Sequence, residues 1–282
     1  MEPFDLIPVS AIVLTHNEAV NIPTCLRALS AVDEVVVVDS GSTDETLSLA
    51  RTAHHKVRTL HHPFQDFGDQ RNWALDHAQP RHPWVLFVDA DEVCTPDLLE
   101  EIRMFIAKPG DHVGAYVAGR NYFLGGWLRY STFYPSYQLR LLKLGHVRYR
   151  KEGHGQREIT EGPLHYLHHH WNHDGFSHGV AEWIARHNRY SSDETELIQR
   201  LRDEPVNWRA LLSRDPIQKR RAVKILAAKA PCRPLTRFLY TYVYKRGFLD
   251  GTPGLMYCLL RFAHEWHIIV KLEERRFLGR QP

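Results

Sequence analysis

Residues 84–96 read WVLFVDADEVCTP, and the fold turns on how that run is understood. Trp84 to Val88 are all large and apolar, as in a strand buried on both faces. The run then ends in Asp89, Asp91 and Glu92, whose mutual repulsion is costly unless a cation lies between them. Hard oxygen ligands spaced Asp-x-Asp suit magnesium or manganese, ions that also bridge the phosphates of a nucleotide. A plainer reading is that Asp91 and Glu92 open a solvated turn and cap a helix over TPDLLEEIRMF, 95–105.

Towards the N-terminus the same alternation recurs. SAIVLTH (10–16) is an aliphatic strand that stops at polar HNEAVN, and IPTCLRALS (22–30) sets Ile22, Leu26 and Leu29 at helical spacing. DEVVVVDSGST (33–43) is a β-branched run ending in Asp39, Ser40 and Gly41, and STDETLSLAR (42–51) has the Ser/Thr/Asp start of a helix. A weaker strand, KVRTLHH (56–62), and a helix, DFGDQRNWALDHA (66–78), lead into 84–96. Strand and helix in alternation predict a mainly parallel α/β sheet with right-handed crossovers. Ligands of such sheets bind beyond the carboxyl ends of the strands, so Asn17, Glu18, Asp39, Asp89 and Asp91 are expected on one rim.

The 282 residues, 43% of them hydrophobic, suffice for one large domain or a domain with an appendage. A net charge of +3 is too small for a dedicated nucleic-acid binder. Cys25, Cys94, Cys232 and Cys258 form no CxxC pair, which argues against a thiolate zinc site or a disulfide framework and for a reducing cytoplasm. MEPFDLIPVS lacks the features of a signal peptide, and no apolar run reaches the roughly 18 residues of a spanning helix.

In order and spacing, AIVLTHNEAVNIPTCLRAL (11–29), EVVVVDSGSTDETLSLA (34–50), GDQRNWAL (68–75) and WVLFVDADE (84–92) resemble the nucleotide-sugar domain of family 2 glycosyltransferases over about the first 120 residues. The resemblance implies a GT-A fold: a Rossmann-like, mainly parallel sheet with flanking helices. It also implies a nucleotide-sugar donor at the rim and a divalent ion, Mn2+ or Mg2+. Carried over residue by residue, Thr15, Asn17 and Glu18 would line the nucleotide pocket and Asp39 would bond the base. Arg71 would lie near the diphosphate or base, and Asp89 and Asp91 would face ribose and metal.

An inverting transfer needs a base for the acceptor hydroxyl. Glu152, in RKEGHGQRE (150–158), resembles the family's acceptor-site acid, although the usual Glu-Asp pair is here Glu152-Gly153; Glu158 and His154 are rivals. Glu152 can equally pair with Arg148, Arg150 or Lys151 on a solvated edge. Seven histidines lie between His154 and His178 without the spacing of a zinc site. Among them His173, a few residues before Phe176-Ser177, matches a histidine that in similar family members returns to the active site and completes the metal shell.

From Ser177 a helix is expected, with Val180, Trp183, Ile184 and His187 on one face. No Gln-x-x-Arg-Trp sequence occurs, which weakens the case for processive polymer synthesis. Beyond residue 200 basic clusters alternate with aromatic segments, LTRFLYTYVYKRGFLDG (235–251) and GLMYCLLRFAHEWHIIVKLEERR (254–276), the pattern of amphipathic helices at a lipid headgroup boundary. Packing against the enzyme's own core or a dimer partner would use the same pattern. The expected organisation is a donor-binding part (1–120), an acceptor-side part (121–200) and a C-terminal amphipathic helical region (201–282). The C-terminal pattern resembles that of family members that build lipopolysaccharide core, exopolysaccharide or lipid-linked glycans. Together the resemblances imply a UDP-sugar donor, a lipid-linked saccharide acceptor and a place on the inner face of the cytoplasmic membrane. A nucleotidyltransferase would share the acidic sheet rim but needs a glycine-rich basic loop that LTHNEAVN (14–21) lacks, and a non-catalytic membrane scaffold would not need Asp39, Arg71, Asp89 and Asp91.

Overall fold

The computed structural model describes residues 6–54, 56–152, 155–213, 216–230 and 232–279. The chain forms two compact units: residues 1–123 with 132–178, and residues 124–131 with 179–282.

The first unit is built on β1 (Ile7–Thr15), α1 (Ile22–Ala28), β2 (Val32–Asp39), α2 (Thr46–Ala53), β3 (Val57–His61), α3 (Phe67–His77) and β4 (Trp84–Asp89). Then follow β5 (Glu92–Cys94), α4 (Pro96–Ala107) and β6 (Gly114–Phe123). The two-residue β7 (Gly126–Trp127) belongs to the second unit's segment, and β8 (Tyr137–Lys143), β9 (Val147–Glu152), β10 (Gly155–Thr160) and β11 (Leu164–His173) complete the first. The sheet order is β3-β2-β1-β4-β8-β6-β11-β5, and β9 and β10 form a separate hairpin. β1 to β4 are mutually parallel; β8 runs antiparallel to both β4 and β6.

The uninterrupted Val35–Val38 run follows from helices on both faces. Val35 and Val37 pack with β1 residues Val9, Ala11 and Val13 and with α1, α2 and α4 through Leu26, Ala50 and Leu98. Val36 and Val38 face the other way, with Ile12, Phe87, Ala74 of α3 and Tyr149 of β9. All four valines are fully buried, each stabilising the fold by roughly 1.5–3 kcal/mol relative to exposure. The helix over 42–51 begins later than its sequence suggests, at Thr46: Asp44 accepts the Thr46 amide at 3.0 Å, while Ser42 and Thr43 serve the preceding loop.

β11 is paired in parallel with β6 but carries extra residues between Tyr166 and His170. The amides of His168 and His169 are taken up there by the Glu101 carboxylate of α4, at 2.8 Å each. A carboxylate thus replaces the strand partner that these amides lack at the bulge. Beyond it, β11 pairs antiparallel with β5, setting His173 opposite Glu92.

The second unit is helical: α5 (Gly179–Asp203), α6 (Trp208–Leu211), α7 (Pro216–Lys229), α8 (Arg233–Phe238), a π-helical stretch Leu239–Tyr244, a 3-10 turn Gly247–Asp250 and α9 (Gly251–Leu278). Its core joins Ile198 and Leu201 of α5, Ile225 and Ala228 of α7, and Ile268 and Leu272 of α9. The helix after Ser177 therefore sides with the C-terminal helices, and the Lys271 ammonium of α9 adds polar ties by donating to the Asn188 carbonyl (2.7 Å) and the Ser191 hydroxyl (2.8 Å) of α5. Trp183 is buried as expected, whereas Val180 and Ile184 are exposed. Segment 129–131 is clamped by Asp250, whose carboxylate accepts the amides of Arg129, Tyr130 and Ser131 at 3.1, 3.0 and 2.8 Å. Among the described residues no helix is long and apolar enough to cross a membrane.

Candidate active site

Register places the strand-end residues side by side: Thr15 pairs with Asp39, and Leu14 with Asp89. At the end of β1 the chain turns through Asn17, in the left-handed region at φ 53°. The Asn17 amide donates to Ser42 Oγ at 2.8 Å, and its Oδ1 accepts the Thr43 amide at 2.8 Å. Asp39, buried at the end of β2, accepts the amides of Gly41 (3.0 Å) and Ser42 (2.9 Å), the turn made possible by Gly41 at φ 91°. Asp39 thus holds its own loop as well as lying on the rim. Glu18 accepts from Asn21 at 2.6 Å and meets the His178 imidazole at 3.0 Å. Thr15 Oγ1 is buried and has no hydrogen-bond partner among the described residues.

At the end of β4, Asp89 is held by two arginines. Arg71 Nη2, from α3, donates to Asp89 Oδ1 at 3.0 Å, and Arg140 Nη2, from β8, donates to Oδ2 at 2.7 Å. Arg140 also bonds the Glu92 carboxylate, which in turn accepts the Asp89 amide at 3.1 Å. Arg71, Arg140 and Glu92 are all buried. Burial opposes the charge of Asp89, but Arg140 and Arg71 outweigh it and hold this carboxyl well below the usual range. For Glu92 burial leads, with Asp89 and Asp91 adding to it against Arg140, and its carboxyl is pushed up to about 7. Arg140 lies 5.0 Å over the Trp171 ring, and that ring has room because residue 119 is glycine: a Cβ there would come within 2.7 Å of the indole.

Asp91 lies in the short link between β4 and β5. Its Oδ2 is 3.1 Å from His173 Nε2, while His173 Nδ1 bonds Asn121 Oδ1 at 2.7 Å. Burial disfavours the imidazolium, yet the Asp91 carboxylate, with Glu92 and Asp89 behind it, holds His173 up to about 9. With its proton on Nδ1 towards Asn121, a neutral His173 presents a lone pair beside Asp91, the arrangement of a metal-ligating histidine oriented from its far side. Adjacent ligands of an octahedral ion with bonds of about 2.1 Å lie about 3 Å apart, so the Asp91–His173 spacing fits such an ion. Among the described residues no group of three or more His, Cys, Asp or Glu is placed to hold a metal. Among the described residues Asp91 and His173 are thus the pair whose spacing fits such an ion.

The solvated-turn reading of Asp91 and Glu92 does not hold. The helix cap is Thr95, which accepts the Leu98 amide, and Glu92 is buried. Of the candidate bases, Glu152 sits half-exposed at the end of β9, 3.7 Å from Arg157. Glu158, across the hairpin, lines a cavity of about 370 Å³ together with Arg71, Asp89, Gln156 and Tyr137. His154 falls outside the described residues. Of the other described histidines of the run, His165 stacks on Phe105 and His168 pairs with Glu101. Arg140, Asn121 and His178 went unnoticed in the sequence because nothing near them in the chain marks them.

Residues 10–169 match the family model described as "Glycosyl transferase family 2". The chain is 32% identical over 146 residues to the "Lipopolysaccharide core biosynthesis glycosyltransferase LpsC" of Rhizobium meliloti, covering 51% of this chain and 53% of that one. It is 35% identical over 130 residues to a "PGL/p-HBAD biosynthesis glycosyltransferase" of Mycobacterium bovis, covering 42% and 50%. The chain thus spans about half the length of these relatives. Among solved structures, S. aureus TarS 1-349 in complex with UDP-GlcNAc aligns over 92% of this chain and 91% of that one, with a TM-score of 0.45 and 17% identity.

Proposed function

The chain belongs to glycosyl transferase family 2, and from that premise we propose that it moves a sugar, with inversion, from a UDP-sugar to a saccharide carried by a lipid in lipopolysaccharide-core or related envelope assembly. The observation that carries the donor-site reading is the convergence of Asp89, held by Arg71 and Arg140, with the Asp91–His173 pair at the end of β4. The lipopolysaccharide-core role of the Rhizobium relative supports the acceptor class.

In this reading Thr15, Asn17, Glu18 and Asp39 line the nucleotide pocket. Asp91 and His173 would hold a divalent ion, Mn2+ or Mg2+, which when bound offsets the charge developing on the departing diphosphate. Arg71 adds a fixed cation on the same rim. A carboxylate, Glu158 or Glu152, takes the proton of the acceptor hydroxyl. That oxygen then bonds the anomeric carbon as the bond to the diphosphate breaks on the opposite face, the electron pair leaving with phosphate oxygen. One displacement inverts the centre.

Thermal unfolding with nucleoside diphosphates tests the donor assignment. UDP with manganese is expected to raise the melting temperature, and chelator to cancel the rise; a folded protein indifferent to every nucleotide diphosphate would count against transferase function. For the base, Glu158→Gln and Glu152→Gln are compared at saturating substrate. The residue that acts loses about 10²–10⁴-fold in kcat and the other changes little; equal, small effects in both would remove both candidates.

Attachment to the inner face of the membrane is supported by exposed Leu239, Tyr240, Val243, Tyr244, Phe248 and Leu249 alongside Lys245 and Arg246. It is also supported by 17 Lys and Arg against 7 Asp and Glu in residues 201–282. The protein is expected to float with vesicles containing phosphatidylglycerol and to stay behind with pure phosphatidylcholine. Val243→Asp combined with Tyr244→Asp should abolish flotation, and flotation that survives this pair would place the contact elsewhere.

A further inference from the structure

Three tyrosines stand on three neighbouring strands of the first unit: Tyr137 on β8, Tyr116 on β6 and Tyr166 on β11. Tyr116 and Tyr166 are register partners, and their rings stack with centroids 5.0 Å apart. Tyr137 meets Tyr166 nearly at a right angle, 86°, with centroids 4.9 Å apart. The residues Tyr137 and Tyr166 are exposed to solvent, by 41% and 53%. The result is a corner of two nearly perpendicular rings on two exposed residues.

The corner opens on chemistry. Tyr137 and Gln138 line the cavity of about 370 Å³ that also contains Arg71, Asp89 and Glu158. That volume is at the small end of the roughly 300–1,000 Å³ of ligand pockets. Glu158 is aimed by the inner tyrosine, whose hydroxyl donates to its Oε1 at 2.7 Å. An electron-rich ring face attracts weakly polarised C–H groups, and a carboxylate next to a carboxamide offers acceptors and a donor for hydroxyls. A pyranose carries both kinds of surface: a face of C–H bonds and a rim of hydroxyls.

We propose that Tyr137 and Tyr166, with Glu158 and Gln138, form a subsite that seats a neutral pyranose ring of the acceptor, a conclusion that rests on the sugar-transfer reading above. The ring's C–H face packs on the tyrosine corner, and its hydroxyls turn towards Glu158 and Gln138, beside Asp89. A sugar bearing a carboxylate is disfavoured, because it would set a second anion against Glu158 and the ring faces.

The test is saturation-transfer NMR on the full chain with methyl β-D-glucopyranoside and with the corresponding methyl glucuronoside. Wild type, Tyr137→Leu, Tyr166→Leu and Tyr166→Phe are compared, with UDP and manganese binding followed by thermal shift in the same samples. The neutral glycoside is expected to take up saturation on its ring C–H protons. Either Leu variant should bind it about tenfold more weakly, and Tyr166→Phe, which keeps the ring, should stay within about twofold of wild type. The glucuronoside should bind at least about tenfold more weakly than the neutral sugar. Equal binding in the Leu variants, or preference for the glucuronoside, overturns the subsite. UDP binding without any glycoside contact removes the subsite and leaves the donor reading standing; glycoside contact without nucleotide binding overturns the donor reading and, with it, the assignment of the sugar site to an acceptor.

Discussion

Asp91→Asn is expected to lower the transfer rate by about 10²–10³-fold while leaving the protein folded. The substitution keeps the size of the side chain and removes its charge, which has two consequences. A divalent ion loses the harder of its two candidate ligands, and His173 loses the anion that holds it up to about 9. The second consequence gives a readout independent of turnover. A metal needs the neutral imidazole, so in the wild type it must displace a proton at any pH below about 9. Apparent manganese affinity should therefore climb as pH rises towards 9, by at most about tenfold per unit. In Asp91→Asn the affinity should be low and the climb much shallower near pH 8. Stability of the metal-free protein runs the other way. The folded-state pKa of His173 lies above the ordinary value of about 6.5, so its pairing with Asp91 contributes fully below that pH. The contribution is lost as pH rises through about 9. Manganese titrations by calorimetry across this range decide the matter, and an affinity that is flat with pH would take His173 out of the metal shell.

Arg140→Met is expected to destabilise the fold by about 3–5 kcal/mol, a fall in melting temperature on the order of 10 °C. Arg140 is 3% exposed and stands between two carboxylates, Asp89 at 2.7 Å and Glu92 closer still. Removing it leaves Arg71 to balance Asp89 and nothing of like strength on Glu92. Part of the cost is relieved by protonating Glu92, whose burial already pushes its pKa up to about 7. The gap between wild type and variant should therefore widen as pH rises through neutrality and narrow in mild acid. Thermal unfolding at several pH values measures this directly; a variant as stable as wild type at pH 8 would show that Arg140 does not support the site.

Much of the first unit was legible because its signals are local. The β-branched run 35–38 and the apolar run 84–88 name their own strands, and each stops in a carboxylate at the rim. The motifs that resemble the family cover the same stretch, so Arg71, Asp89 and Asp91 could be named together. The rest of the site is assembled across distance. Arg140 is 51 residues from Asp89, Asn121 is 52 from His173, and His178 is 160 from Glu18. None of these pairings leaves a trace in spacing, since each depends on β8, β6 and β11 joining the sheet beyond β4. In YQLRLLK an alternating strand pattern hides Arg140 as one more polar residue, although it points into the core. The Ser/Thr/Asp cluster at 42–44 misled in the opposite sense. Those residues are equally good at helix starts and in loops, and here Ser42 and Thr43 fasten the loop around Asp39 and Asn17.

The extra residues in β11 between Tyr166 and His170 act as a phasing element for the site. Side chains alternate along a strand, so the parity of the count through that bulge determines which face His173 occupies. Register with β5 then fixes His173 opposite Glu92, the residue after Asp91. Glu101, on a helix that otherwise only covers the sheet, holds the bulge by its two amides. A surface helix and the Asp91–His173 pair are in this way geared together through counting, and Glu101 belongs to the tolerances of the active site although it touches none of its residues.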